Sequence, residues 1–255
     1  MRTRYVDIDD RMEDLAERMR GDPEGAAEFL QRYELSWLYH ENALEGLVYS
    51  GQELAAALSE PVLTDAALVA SLRDIRNHKA ALDLAREEAR AKKLKLTPAL
   101  ARRFHETLCQ GLDGRAAADL RKDMPLHRAY FHEIAAPARI SAHLQKLFDS
   151  CDTADFRNGH PLQLATRVHH GFMQAFPYNE NSGRVARLLM NLVLLHGGFR
   201  LPVVIHATDR QRYYEALRVP EAALRELTVE AIDNALAQAE KHFAEVPLRA
   251  RKAAR

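Results

Sequence analysis

Cysteine is almost missing from this chain: Cys109 and Cys151 are the only two in 255 residues. They have neither CxxC spacing nor the density of a disulfide framework, so both are read as reduced thiols and the protein is expected to be cytoplasmic. No uninterrupted apolar stretch approaches the roughly 18 residues that a membrane helix needs. The first residues, MRTRYVDIDDRMEDLAERM, are charged and lack the apolar segment of a signal peptide. The sequence therefore predicts neither secretion through such a peptide nor a membrane span. An excess of one charge is also missing, because 36 Lys and Arg balance 36 Asp and Glu. No overall field draws the protein to nucleic acid or to a lipid surface, and neither is expected as a partner. The single basic cluster, LRARKAAR at the carboxyl end, is short enough to be a solvated tail. HExxH and similar zinc spacings do not occur.

Helical patterning fills most of the remainder, with apolar residues recurring at three and four. Asp22-Pro23 opens a segment that runs through SWLYHENALEG to Gly46. Ser50 and Glu53 have capping-box spacing. A long run follows Thr64, Thr97-Pro98 caps another helix, and His160-Pro161 begins LQLATRVHHGFMQAF. RVARLLMNLVLLH stops at Gly197-Gly198, and a last long helix runs from Pro220. The stretch MPLHRAYFHEIAAPARI, residues 124–140, has two prolines and little helical period, and reads as a loop or small hairpin.

Chemistry concentrates in FPYNENSGRVAR, residues 176–187. A helix beginning near Gly183 presents unpaired N–H groups and a positive dipole end, which favour anions. Arg184 and Arg187 add guanidinium forks suited to phosphate or carboxylate, and Glu180 offers one carboxylate to Mg²⁺. The alternative on the loop alone is an ordinary helix cap at Ser182 with both arginines in ion pairs.

The segment VHHGFMQAFPYNENSGRVARLLMNLVLLHGGF resembles the Fic (Fido) family, whose signature is H-P-F-x-(D/E)-G-N-G-R-x-x-R. SWLYHENALEGLVYS is similar to the family's amino-terminal inhibitory helix, RNHKAALDLA to the helix after it, and AADLRKDMPLHRAYFHEIAAPARI to the segment bearing a β-hairpin flap. DRQRYYEAL is similar to a helix downstream of the active site. The resemblance implies an all-α fold with a small hairpin flap, divided into an amino-terminal helical extension, residues 1–63, and a Fic domain, residues 64–250. It also implies protein nucleotidyl (AMP) transfer from ATP or another nucleoside triphosphate with Mg²⁺, and a protein target at the flap, residues 124–133.

Carried over position by position, the resemblance makes Glu180 the metal ligand. Asn181, Ser182, Gly183, Arg184 and Arg187 become the nucleotide-phosphate positions, and Glu45 with Gly46 the end of the inhibitory motif. Three positions depart. Phe176 stands where the family has the histidine that deprotonates the target hydroxyl, and a phenyl ring takes no proton. Asn181 replaces glycine and Ser182 asparagine, although asparagine tolerates a left-handed turn. Glu41 stands where the inhibitory motif has serine or threonine. His169 is expected to be a packed core residue, while His127 and His132 on the flap are candidate replacement bases. The expectation is a Fic-family protein that keeps the phosphate and metal positions but has lost its general base. Two alternatives stay open: an interaction module without catalysis, and altered phosphate chemistry using another base.

Overall fold

The computed structural model describes residues 2–59, 66–112, 119–125 and 132–253. Among these residues the chain is helical throughout, with irregular connections and no strand. The α-helices, in order, are α1 (Arg2–Gly21), α2 (Pro23–Leu44), α3 (Gly51–Leu58), α4 (Ala66–Ala89), α5 (Pro98–Cys109), α6 (Ile140–Ser150), α7 (Ala154–Arg157), α8 (Pro161–Ala175), α9 (Ser182–His196), α10 (Arg210–Arg218) and α11 (Ala222–Ala253). The start of the run expected at Thr64 and the middle of the expected hairpin, including His127, lie outside the described residues. The described flanks of the hairpin, 119–125 and 132–136, are irregular.

Helix α9 is the axis of the fold. Its sequence carries apolar residues on every side, and it is buried from Ser182 through Leu194, as expected of a helix surrounded by others. Helices α4, α5 and α8 pack against it, and α6 and α11 pack on α8. The core-facing residues of α8, Leu162, Ala165, Val168, His169 and Phe172, recur at three and four and are fully buried.

The amino-terminal helices are part of the same core. Tyr5, Ile8, Met12 and Leu15 form one buried stripe along α1, which packs against α2 and α11. Arg4 and Arg11 also reach Asp233 and Glu240 at 3.1 and 2.8 Å. Exposed pairs of that kind contribute about 0–1 kcal/mol, whereas each buried large apolar side chain contributes about 1.5–3 kcal/mol. Burial, not charge, holds α1 in place.

The placement of α2 matters most for the site. Asp22 caps its start by accepting from Gly25 N at 2.9 Å, and Gly46, at φ +88°, turns the chain away at its end. Several bonds moor its last turn to α10 and the segment before it. The Leu44 carbonyl accepts from Tyr214 Oη at 2.8 Å and Arg210 Nε at 3.0 Å, and His40 Nδ1 accepts from Ala207 N at 3.1 Å. This mooring delivers Glu41, Asn42 and Glu45 to α9.

Candidate active site

The loop between α8 and α9 opens with a left-handed residue that is not glycine. Phe176 has φ +42° and ψ +63°, a conformation costing an L-residue roughly 1–2 kcal/mol. Its surroundings hold it there: Phe176 N donates to Phe172 O at 2.8 Å, and Arg121 Nε donates to Phe176 O at 2.7 Å. Arg121 is 2% exposed. Its guanidinium also donates to the carbonyls of Ala135, Ala175 and Asp123. A buried cation thus ties the end of α8 to the residues flanking the expected flap, where the helix carbonyls present partial negative charge.

The remainder of the loop is fixed by short-range bonds. Tyr178 is buried and stacks on His105 with ring centroids 4.0 Å apart. Ser182 Oγ accepts from Tyr178 N and donates to Tyr178 O, both at 2.9 Å, so its hydroxyl closes the loop on itself. Asn181 adopts the left-handed conformation at φ +61° immediately before α9. The first intrahelical bond of α9 is Val185 N to Asn181 O at 2.9 Å. Hence the N–H groups of Ser182, Gly183 and Arg184 have no partner within the helix, which is the backbone arrangement of an anion site. Glu180 lies exposed at the loop tip, and His105 Nε2 meets its carbonyl at 3.2 Å. One exposed carboxylate beside backbone donors fits Mg²⁺ held jointly by a side chain, phosphate oxygens and water. Among the described residues, no group of three or more His, Cys, Asp and Glu is disposed to hold a metal alone.

Both arginines meet carboxylates. Arg184, 1% exposed, makes a bidentate pair with Asp74 on α4: Nη1 to Oδ1 at 3.0 Å and Nη2 to Oδ2 at 2.9 Å. Nη1 donates again to Asn181 Oδ1 at 3.2 Å and Nη2 to Asn42 Oδ1. Burial opposes its charge most strongly, and Asp74 more than restores it, so its pKa lies above the ordinary value. Arg187, 0% exposed, donates from Nε to Glu41 Oε2 at 2.6 Å and from Nη2 to Glu45 Oε1 at 2.8 Å. The residue standing where the motif expects serine or threonine therefore makes the shorter contact. Burial pushes the Glu41 carboxyl up while Arg187 pulls it down.

His169, His132 and His78 are all buried. His169 is fully buried and its pKa is lowered by burial and by Arg187. Arg187 Nη1 donates to Tyr213 Oη at 3.3 Å, and Tyr213 Oη is hydrogen-bonded to His169 Nε2 at 2.9 Å. His169 is a core residue. His132 is 3% exposed and its Nε2 donates to Met173 O at 2.7 Å. Its ring meets that of Phe176 edge-on at 6.2 Å, and it packs beside position 176 as part of the wall. His78, buried beside Glu41 and Arg184, is held neutral by burial and by Arg184.

Residues 95–194, which contain this loop and the helices on either side, match the Fic/DOC family model. They belong to that family. Similar curated proteins include the protein adenylyltransferase Fic of Nematostella vectensis, 35% identical over 86 residues, or 34% of this chain and 20% of that one. The protein of the same name from Drosophila willistoni is 23% identical over 185 residues, 71% of this chain and 36% of its own. The chain thus spans about a fifth to a third of these relatives' length. Among solved structures, Fic-1 of C. elegans superposes with TM-score 0.75 at 18% identity, covering 94% of this chain and 71% of that one. A Fic domain containing signaling protein of Bacteroides thetaiotaomicron gives 0.71 at 20% identity, covering 91% and 97%. The all-α Fic fold is therefore shared with these two structures.

Three contributors to this Fic site escape sequence reasoning: Asp74, Asn42 and Arg121. Asp74 had the only local signal, an acid four residues before His78 on one helix face. Asn42 and Arg121 gain their partners only through tertiary packing.

Proposed function

We propose that this chain is a relative of protein AMP transferases in which ordinary AMP transfer is absent or very weak, and that it keeps a site for Mg²⁺ and a nucleoside triphosphate at residues 177–187. The supporting observation is the phenyl ring at position 176. General-base catalysis contributes about 10²–10⁴-fold, and neither His132 nor His169 is disposed to supply it. In this reading Ser182, Gly183 and Arg184 offer backbone N–H groups to phosphate, and Glu180 offers its carboxylate to Mg²⁺. Glu45, followed by Gly46, competes with phosphate for Arg187. Residues 1–63 act as an inhibitory extension and 64–250 as the Fic domain. A protein target at the flap and a cytoplasmic setting, consistent with two buried thiols that form no disulfide, complete it. No helix among the described residues is long and apolar enough to cross a membrane.

Titration calorimetry with ATP, CTP, GTP and UTP, with and without Mg²⁺, tests the reading. One nucleotide is expected to bind the parent weakly, with Kd on the order of millimolar, and to bind Glu45→Gly, in which Glu41 still holds Arg187, within about threefold of that. Glu180→Ala removes the Mg²⁺ dependence. Absence of heat with every nucleotide in both parent and Glu45→Gly contradicts it.

A further inference from the structure

Arg184 is not available to a phosphate in this fold. A guanidinium has five N–H donors, four of them on the two terminal nitrogens. Asp74 takes one from each terminal nitrogen, and Asn181 and Asn42 take the other two. The fifth, on Nε, is buried without a hydrogen-bond partner. A phosphate oxygen reaching this arginine must therefore displace an acceptor already in place. Asp74 is the one that carries charge, and its fork-to-fork geometry is the strongest of the three contacts.

The two arginines are closed from different parts of the chain. Glu41, Asn42 and Glu45 all lie on α2 or at its end, so a displacement of α2 removes both carboxylates from Arg187. Asp74 lies on α4, which packs directly along α9. It stays when α2 leaves, although the bond that Tyr49 Oη donates to it at 3.2 Å is lost. Arg184 would then lose Asn42 and keep both bonds to Asp74.

We propose that Asp74 is a second, independent lock on the phosphate site: moving α2 frees Arg187, while Arg184 becomes a phosphate ligand only when the Asp74 carboxylate is neutralised or drawn away from α9. The driving force for the closed state is mutual desolvation. A 1%-exposed guanidinium and a 3%-exposed carboxylate each need the other, because either one left alone at that depth is strongly disfavoured. An incoming phosphate satisfies Arg184 but strands Asp74. This inference rests on the reading of residues 177–187 as a phosphate site, and deepens it by separating the release of its two arginines.

The test compares the parent with Asp74→Asn, Asn42→Ala and Glu45→Gly, following the thermal midpoint against inorganic tripolyphosphate and, separately, Mg²⁺ with each nucleoside triphosphate. Asparagine keeps the shape of aspartate, removes its charge and leaves Arg184 without a counter-ion. Tripolyphosphate is expected to stabilise Asp74→Asn with an apparent Kd about tenfold or more below that of the parent, while Asn42→Ala and Glu45→Gly stay within about threefold of it. If Glu45→Gly gains as much as Asp74→Asn, or Asp74→Asn gains nothing, the lock is refuted. If Asp74→Asn folds only with help, its refolded yield from urea should rise with tripolyphosphate, and an unchanged yield refutes the lock as well. A gain with tripolyphosphate in Asp74→Asn, but no response of any variant to a nucleotide, keeps the lock and removes the nucleotide reading.

Discussion

Replacing Glu41 should cost far more stability than replacing Glu45, although the proposed inhibitory acid is Glu45. Both carboxylates contact Arg187, at 2.6 Å for Glu41 and 2.8 Å for Glu45. They differ in depth: the Glu41 side chain is 2% exposed, the Glu45 side chain 18%, and the Arg187 side chain 0%. Glu41→Ala deletes the buried partner of a buried cation, a class of change that costs about 3–5 kcal/mol. Glu45→Ala removes a contact at the edge of the site, leaves Arg187 paired with Glu41, and should cost about 1 kcal/mol. Glu41→Gln keeps the shape and an acceptor oxygen and should fall between them. Urea unfolding at pH 7 measures all three by linear extrapolation, provided the slopes agree with that of the parent. In thermal melts the Glu41→Ala change corresponds to a fall on the order of 10 °C, at roughly 2–4 °C per kcal/mol for a chain of this size. Equal losses for Glu41→Ala and Glu45→Ala would refute the argument, because they would mean that burial does not rank these two contacts.

Two further predictions concern the elements around the site. Arg121→Met should destabilise the fold by about 2–4 kcal/mol, because it strands carbonyls of Phe176, Ala175 and Ala135 away from water; hydrogen exchange should speed up most at Arg121 N and Ala135 N, which bond Pro177 O and Gln174 O at 2.8 Å each, and uniform protection across the fold would contradict this. His40 is pushed down to about 4, from an ordinary value of 6.5, by burial and by His206 stacked on it at 4.3 Å. The unfolded chain takes up that proton first, so the stability is full above about pH 6.5 and is lost as pH falls toward 4. With solvent screening allowed for, the loss attributable to His40 is on the order of 1–2 kcal/mol. His40→Gln should flatten the urea-stability profile over that range, and an unchanged profile would count against the assignment.

Local chemistry made much of this architecture legible. The Asp22-Pro23 and Thr97-Pro98 starts, the Ser50–Glu53 capping box and the glycine stop after α9 all stand where the sequence puts them. The left-handed turn at Asn181 follows from the tolerance of asparagine for that conformation. Within the helical extension expected over residues 1–63, the charges of α1 disguise a buried stripe of Tyr5, Ile8, Met12 and Leu15 at helical spacing. The loop arginines show the limit of motif reading. Their positions relative to Gly183 are local, but their partners come from α2 and α4, more than a hundred residues away in sequence. Nothing within FPYNENSGRVAR announces that Asp74 and Glu41 will occupy them. Ser182 likewise turned its hydroxyl to Tyr178, a bond that the spacing permits but does not require.

The central claim, that position 176 silences a site otherwise built for AMP transfer, is tested most directly by transfer of label from ATP carrying a labelled α-phosphate. The background variant is Glu45→Gly with Asp74→Asn, which removes one acid from Arg187 and the counter-ion of Arg184, assayed with Mg²⁺ as it stands and with Phe176→His added. The account predicts little or no labelled protein from the parent or from the background variant, and labelled protein once the histidine is present, with a difference of about 10²-fold or more. Equal labelling with Phe176 and with histidine at that position, or transfer by the unaltered chain at the rate of the histidine variant, would contradict it.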